Sequence, residues 1–248
     1  MAYIEVSHET KRYQSGTSEI LANNDVSFTC EKGELVVILG SSGAGKSTLL
    51  NILGGMDTAS EGSVVIDGKD IATYNSHQLT DYRRTDVGFV FQFYNLVSNL
   101  TAKENVELAS QIVRGASDPE EVLASVGLAD RMANFPAQLS GGEQQRVAVA
   151  RALVHGPKFI IADEPTGNLD PEMSMDIMQL FEAINKVGIT VVVVTHEHQL
   201  VHKLAAKYHN RVITLAHGLV KSDTADPLVA EEYAQIAAER GYEDEEFV

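Results

Sequence analysis

The sequence predicts an α/β fold: a mainly parallel sheet, an N-terminal β portion, and a helical lobe inserted between two stretches of the sheet. Three observations carry this. Short apolar runs, Leu35–Leu39, Val87–Phe91, Phe159–Ala162 and Thr190–Val194, have the length and density of strands buried on both faces. Each run ends on a distinctive polar or glycine-rich element: Gly40 onward, Gln92, Asp163 with Glu164, and His196 just beyond Thr195. Between Tyr94 and about Gly156 such runs are absent, and the chain reads as helices broken at 115–119, at Gly127 and at 134–136.

Taken in order, residues 3–6 and 25–30 read as short strands, with Asp25, Ser27 and Thr29 alternating against Val26, Phe28 and Cys30. A loop is expected at 14–18, and Glu31–Glu34 turns the chain into the strand 35–39. Thr48–Leu53 continues at helical spacing. Gly54–Gly55 and Glu61–Gly62 bracket a loop, Ser63–Ile66 is a strand, and Asp67–Gly68 marks a tight turn. Ser76 is expected to cap a short helix reaching Arg84. In the lobe, Ser140 and Glu143 have the spacing of a capping box that opens a helix running to about Val154. An amphipathic helix is expected over 172–187, another over about 197–206, a strand over 211–215, a turn at Gly218 and a short helix from Pro227. The acidic end, Glu243–Glu246, reads as a solvated tail. These readings group as a domain over 1–222, with an α/β core of about 1–92 and 157–222 and a lobe of about 93–156, followed by 223–248. No internal repeat is found.

The composition narrows the function. With 248 residues and 44% apolar side chains, the chain suffices for one large domain or a core with a smaller lobe. Acidic residues outnumber basic ones 35 to 19, a net charge of −16, which argues against a nucleic-acid partner. Cys30 is the single cysteine, so an internal disulfide is excluded and a reducing setting is natural. The first residues have neither a basic region nor an apolar core, so they do not read as a signal peptide. No apolar stretch approaches the ~20 residues that span a bilayer, so a membrane role is expected to use a separate chain.

Residues 40–47 match G-x-x-x-x-G-K-[ST] between a buried strand and a helix, the context this phosphate-binding loop requires. Gly40, Gly43 and Gly45 let successive N–H groups face one concavity, shared with Ser41, Ser42 and Ala44, and the helix beginning near Thr48 aims its positive dipole end there. Lys46 adds a point charge for the β- and γ-phosphates and Ser47 a hydroxyl for Mg2+. The loop alone specifies only a nucleoside triphosphate. If the core strands are parallel, their four polar ends face one crevice. Asp163 then suits the Mg2+ shell, and Gln92 bridges Mg2+ and water. Glu164 orients and deprotonates the attacking water, and His196 donates to the γ-phosphate. Tyr13 reads either as an aromatic plate stacking on adenine or as an edge aromatic packing on its own strand. Gly141–Gly142 at a helix N-terminus is a second anion site, far in sequence from the first, which suggests that a second copy completes the site.

With these motifs in hand, about residues 1–222 resemble the ATP-binding subunits of ABC transporters. The phosphate loop, Gln92, Leu139-Ser140-Gly141-Gly142-Glu143-Gln144-Gln145-Arg146, Asp163-Glu164, Asn168-Leu169-Asp170 and Thr195-His196 occur in the family order. The resemblance implies a P-loop NTPase core with an N-terminal antiparallel β portion and ATP with Mg2+ as cofactors. It implies an ATP-dependent homodimer in which Ser140, Gly141, Gly142 and Glu143 meet the partner's nucleotide in trans. It also implies an integral membrane permease in a separate chain, contacted by Gln92 and the segment after it, and a place in the cytoplasm, peripheral on the inner face of the membrane. Leu53-Gly54-Gly55-Met56-Asp57, Val90 to Leu96, Thr101 to Val106 and Thr166-Gly167-Asn168 are similar to the macrolide-export and lipoprotein-release type (MacB/LolD-like), implying export or extraction from the membrane. The chain departs from the usual pattern at Glu197, after His196, and at Ala216-His217-Gly218.

Three other readings compete. The same ATPase could drive a membrane partner that signals or controls a cell-wall hydrolase. A soluble ABC-type ATPase of DNA repair or translation usually carries two cassettes or a long coiled-coil insertion, which this chain lacks. A small-molecule P-loop kinase leaves residues 139–146 unexplained.

Overall fold

The computed structural model describes residues 2–16, 18–208 and 210–239. In chain order the strands are β1 (Ile4–Ser15), β2 (Ser18–Cys30), β3 (Leu35–Leu39), β4 (Glu61–Ile66), β5 (Lys69–Asp70), β6 (Val87–Phe91), β7 (Phe159–Asp163), β8 (Thr190–Thr195), β9 (Arg211–Ala216) and β10 (Leu219–Asp223). The helices are α1 (Lys46–Leu53), α2 (Ser76–Thr85), α3 (Ala102–Ser110), α4 (Pro119–Ser125), α5 (Gly141–Leu153), α6 (Pro171–Lys186), α7 (His198–Tyr208) and α8 (Pro227–Glu239). The described residues form two compact units: those within 1–53, 57–73 and 192–239, and those within 54–56 and 74–191.

In the first unit an antiparallel sheet has the order β2-β1-β4-β5. β3 pairs in parallel with β9, Val36 opposite Arg211, and β9 forms a hairpin with β10. Every residue of β3 is buried, as its continuous apolar run predicts. The Asp67–Gly68 turn is present, with positive φ at both residues and Ile66 opposite Lys69, the geometry of a tight two-residue hairpin.

Two expectations are corrected here. Residues 3–6 and 25–30 are only the inner ends of a long hairpin, β1 and β2, whose pairing runs out to Ser15 opposite Ser18. The expected loop over 14–18 is therefore strand on both sides of Gly16, with Thr17 outside the described residues. The outer half went unread because residues 12–14 and 18–21 are exposed and carry no apolar alternation. They are joined by backbone pairing and by Arg12, which meets Glu19 at 3.2 Å and also Glu61. Strand β10, too polar to read, follows the turn at Gly218. The acidic end at 243–246 lies outside the described residues.

In the second unit β6 and β7 pair in parallel, with Val87 opposite Phe159 and Phe91 opposite Asp163. Between them come α3, α4 and α5, the helical stretch expected for the lobe. Helix α5 buries Val147, Ala148, Val149, Ala150 and Ala152. Its small residues admit close neighbours: a Cβ on Gly88 of β6 would lie 2.6 Å from the Ala152 carbonyl oxygen. Helix α6 starts at an Asp170 cap followed by Pro171 and buries Met175, Ile177, Met178, Leu180, Phe181 and Ile184 along one face. The cap of α2 is corrected by one residue. Asn75, not Ser76, is the N-cap, because the Asn75 Oδ1 accepts from the N–H groups of His77 and Gln78 while Gln78 accepts from the Asn75 N–H.

Candidate functional site

In the first unit the loop after β3 has the shape its glycines predict. Gly43 and Gly45 have φ of +78° and +102°, conformations that a side chain disfavours. At Gly45 there is also no room, since a Cβ would fall 2.3 Å from the Asn23 Oδ1 and 2.8 Å from the Ala22 carbonyl oxygen. The loop is braced from outside: the Gly218 N–H donates to the Ala44 carbonyl at 3.0 Å, and the Gly40 N–H to the Thr195 carbonyl at 3.3 Å. The second bond places the end of β8, with exposed His196 as the next residue, beside the start of the loop. Lys46 is only 6% exposed, and its ammonium donates to the carbonyls of Gly40 at 2.7 Å and Ser41 at 3.1 Å. Ser47 and Thr48 lie in the first turn of α1.

Behind this loop lies a buried polar pair. Glu9 and Asn23 are both 0% exposed, and the Asn23 amide donates to the Glu9 Oε2 at 2.8 Å. Burial pushes the Glu9 carboxyl above its usual range, against the opposing pull of Asn23 and Lys11. Tyr13 sits in β1 opposite Ile20, 37% exposed, with its hydroxyl donating to the Asp57 Oδ2 at 2.8 Å.

In the second unit the parallel register of β6 and β7 sets Phe91 opposite Asp163, so Gln92 and Glu164 leave neighbouring strand ends at one level. Glu164 has φ +48°, uncommon for a side-chain-bearing residue, at the turn off β7. The segment to α6 then closes on Gln92. The Asn168 amide donates to the Gln92 carbonyl at 2.9 Å, and a Cβ on Gly167 would stand 2.7 Å from the Gln92 Nε2.

Ser140 is the N-cap of α5, and the expected capping box is present: its hydroxyl accepts from the Glu143 N–H, and its own N–H donates to the Glu143 carboxylate at 2.8 Å. That bond, with Arg131 at 3.0 Å, holds the Glu143 carboxyl below its usual range despite slight burial. Ser140 is exposed, and Gly142 is buried against Met173.

The sequence reading missed several contributors. The Arg151 guanidinium on α5 donates to the carbonyls of Asn95 at 2.5 Å and Tyr94 at 2.8 Å, two consecutive residues with positive φ. The Tyr94 hydroxyl reaches within 3.0 Å of where a Gly141 Cβ would stand. Asp57 and Lys11 surround Tyr13. One signal was available for Lys11: it lies two residues before Tyr13, on the same face of a strand. Among the described residues no group of three or more His, Cys, Asp or Glu could hold a metal ion, and no helix is long and apolar enough to cross a membrane.

A family profile described as ABC transporter matches residues 23–167. The macrolide export ATP-binding/permease protein MacB of Bradyrhizobium diazoefficiens is 41% identical over 95% of this chain, which spans only 36% of that relative's length. An uncharacterised ABC transporter ATP-binding protein of Methanocaldococcus jannaschii, MJ1508, is 42% identical over 87% of this chain and 96% of its own. Among solved structures, the ATP-binding cassette MJ0796, a dimer in a post-hydrolysis state bound to ADP and Pi, superposes with a TM-score of 0.78 at 42% identity, covering 89% of this chain and 97% of that one. A profile match over more than half of the chain, relatives above 40% identity along nearly all of it, and a glycine-built loop of the G-x-x-x-x-G-K-[ST] pattern in the same molecule as a capped Ser140–Gly142 helix start lead to one conclusion: the chain belongs to the ABC transporter family.

Proposed function

We propose that this chain is the ATP-binding and ATP-hydrolysing cassette of an ABC transporter, working at the cytoplasmic face on a separate membrane permease in export or extraction from the membrane. Two phosphate-binding elements in one chain carry the reading: the loop 40–48 and the exposed, capped N-terminus of α5. In this assignment residues 40–48 cradle the phosphates of ATP, with the Lys46 ammonium moving from its loop carbonyls onto the β- and γ-phosphates. Tyr13 stacks on adenine. Glu164 accepts the proton of the attacking water, and His196 donates to the γ-phosphate. Ser140, Gly141, Gly142 and Glu143 meet the nucleotide of a second copy, so the working unit is a homodimer closed by ATP. Residues 93–156 act as a lobe joined to a core of 1–92 and 157–222.

The donor set suits Mg2+. Ser47 offers a hydroxyl, Gln92 an amide oxygen and Asp163 a carboxylate, all hard oxygen ligands. Mg2+ bound through one carboxylate and substrate phosphates needs no cluster of acidic residues. Bound there, the ion would screen phosphate charge.

The reading is tested with Glu164→Gln, which keeps size and hydrogen bonding but removes the base. Binding of ATP is expected to survive and turnover to fall by at least the ~10²–10⁴-fold of general-base catalysis. Size-exclusion chromatography should then show a dimer with ATP and a monomer with ADP, and adding Ser140→Arg should abolish the dimer. A dimer that forms equally without ATP, or that tolerates the Ser140 change, refutes the in-trans assignment.

A further inference from the structure

A stacking platform for a nucleobase must be held at a fixed tilt and a fixed distance from the phosphate site, and an exposed tyrosine on a strand has neither by itself. In the first unit both are supplied by a charged cluster. The Tyr13 hydroxyl donates to the Asp57 Oδ2 at 2.8 Å. The other Asp57 oxygen accepts from the Lys11 ammonium at 2.5 Å and from the Thr58 N–H at 2.7 Å, and Lys11 also donates to the Thr58 carbonyl at 2.8 Å. Lys11 is 9% exposed, and its ammonium lies 4.9 Å from the Tyr13 ring centroid, so one face of the ring is already taken. The Asp57 N–H donates to the Asn51 carbonyl at 3.1 Å, and Asn51 belongs to α1, the helix that begins at Lys46 in the phosphate loop. Partial burial works against ionisation of Asp57, but Lys11, the Tyr13 hydroxyl and the Thr58 N–H outweigh it, and the carboxyl titrates below its usual range.

We propose that Asp57 and Lys11 are positioning residues for the nucleobase. They act through Tyr13 and never touch the nucleotide: Asp57 fixes the tilt of the ring and ties it to α1, and Lys11 blocks its inner face so that a base stacks on the outer one. The inference rests on the reading of Tyr13 as the adenine platform.

The test compares two ligands by calorimetry on the whole chain: ATP, which has a base, and inorganic tripolyphosphate, which reaches only the phosphate loop. Tyr13→Ala should raise the Kd for ATP about three- to tenfold and leave tripolyphosphate unchanged. Asp57→Ala should raise the Kd for ATP about two- to fivefold, again without changing tripolyphosphate, and should add nothing in the Tyr13→Ala background. Unaltered tripolyphosphate binding also reports an intact loop. If Asp57→Ala does not fold, Asp57→Asn, which loses the charge facing Lys11 but keeps the shape, is expected to give the same ATP-only loss and decides in its place. Native ATP affinity in the Asp57 variant, a loss shared by both ligands, or a loss that adds to that of Tyr13→Ala overturns the inference while the stacking role of Tyr13 stands. Native ATP affinity in Tyr13→Ala removes the stacking role itself, and the inference falls with it.

Discussion

Gly43 and Gly45 both have positive φ, yet adding one methyl group to each should have very different effects. At Gly43 the new carbon meets nothing within 4 Å, so only the backbone penalty applies. That penalty is roughly 1–2 kcal/mol, and the smaller entropy of the unfolded chain offsets about 0.4–1 kcal/mol of it. At Gly45 the same penalty is joined by a collision. The Ala22 oxygen at 2.8 Å is backbone and cannot retreat, so the Asn23 side chain at 2.3 Å must. Asn23 is fully buried and donates to the buried Glu9, so displacing it strands two polar groups, adding about 1–3 kcal/mol. Gly45→Ala should therefore lose roughly 2–4 kcal/mol against about 1 kcal/mol for Gly43→Ala. For a chain of this size that is a fall in Tm of roughly 4–16 °C against a few degrees. Thermal melts followed by circular dichroism without nucleotide read this directly. Equal falls in the two variants would refute the steric argument and leave φ alone as the reason for glycine.

Lys46→Ala removes the cation assigned to the phosphates, and turnover measured by phosphate release should drop by about 10²–10³-fold. Arg151→Ala releases the carbonyls of Tyr94 and Asn95, and urea titration should show a loss of about 1.5–3 kcal/mol; amide exchange should quicken at 93–97 more than in β7. Glu9→Gln should stabilise the protein at neutral and alkaline pH. A carboxyl whose folded pKa is raised above 4.5 contributes stability below its unfolded pKa and loses it as pH rises through the folded value. The Tm gap between Glu9→Gln and the native chain should thus be largest at about pH 8 and close toward pH 4, and a constant gap would contradict it.

Much of this molecule was legible because its buried parts are monotonous. Leu35–Leu39 and Thr190–Thr195 are fully buried strands, and nothing in a short run of apolar and β-branched residues competes with that reading. The phosphate loop and the Ser140–Glu143 box were legible because each needs particular residue types at fixed spacing. The outer half of the β1–β2 hairpin was not, since its stability resides in backbone pairing and in Arg12, whose partners Glu19 and Glu61 are remote in sequence. The N-cap of α2 was displaced because Asn75 and Ser76 are both good caps, and only the Gln78 side chain returning to the Asn75 N–H decides between them. Glu9 and Lys11 look like ordinary surface charges on a strand. Their burial follows from Asn23 and Asp57, which no spacing rule connects to them.

The same limit explains why the second unit is more than a set of separate motifs. Gln92, Ser140–Gly142 and Asn168 stand far apart in sequence, yet few side chains lie between them. The Gln92 carbonyl accepts from Asn168, and its amide packs on Gly167. Two residues on, Tyr94 is fastened at its carbonyl to Arg151 of α5, while its hydroxyl lies against Gly141 at the opposite end of that helix; the Leu169 side chain closes on Gly141 from the other direction. Left-handed backbone at both Tyr94 and Asn95 stores strain that the two Arg151 bonds offset. A displacement that reaches the Tyr94 backbone meets these bonds directly. It must either break charged hydrogen bonds worth about 1.5–3 kcal/mol each or carry α5, and Ser140 at its cap, along with it. Tight packing at Gly141 and Gly142, where a methyl group would stand 3.0–3.2 Å from the Tyr94, Leu169 or Met173 side chains, favours the second course.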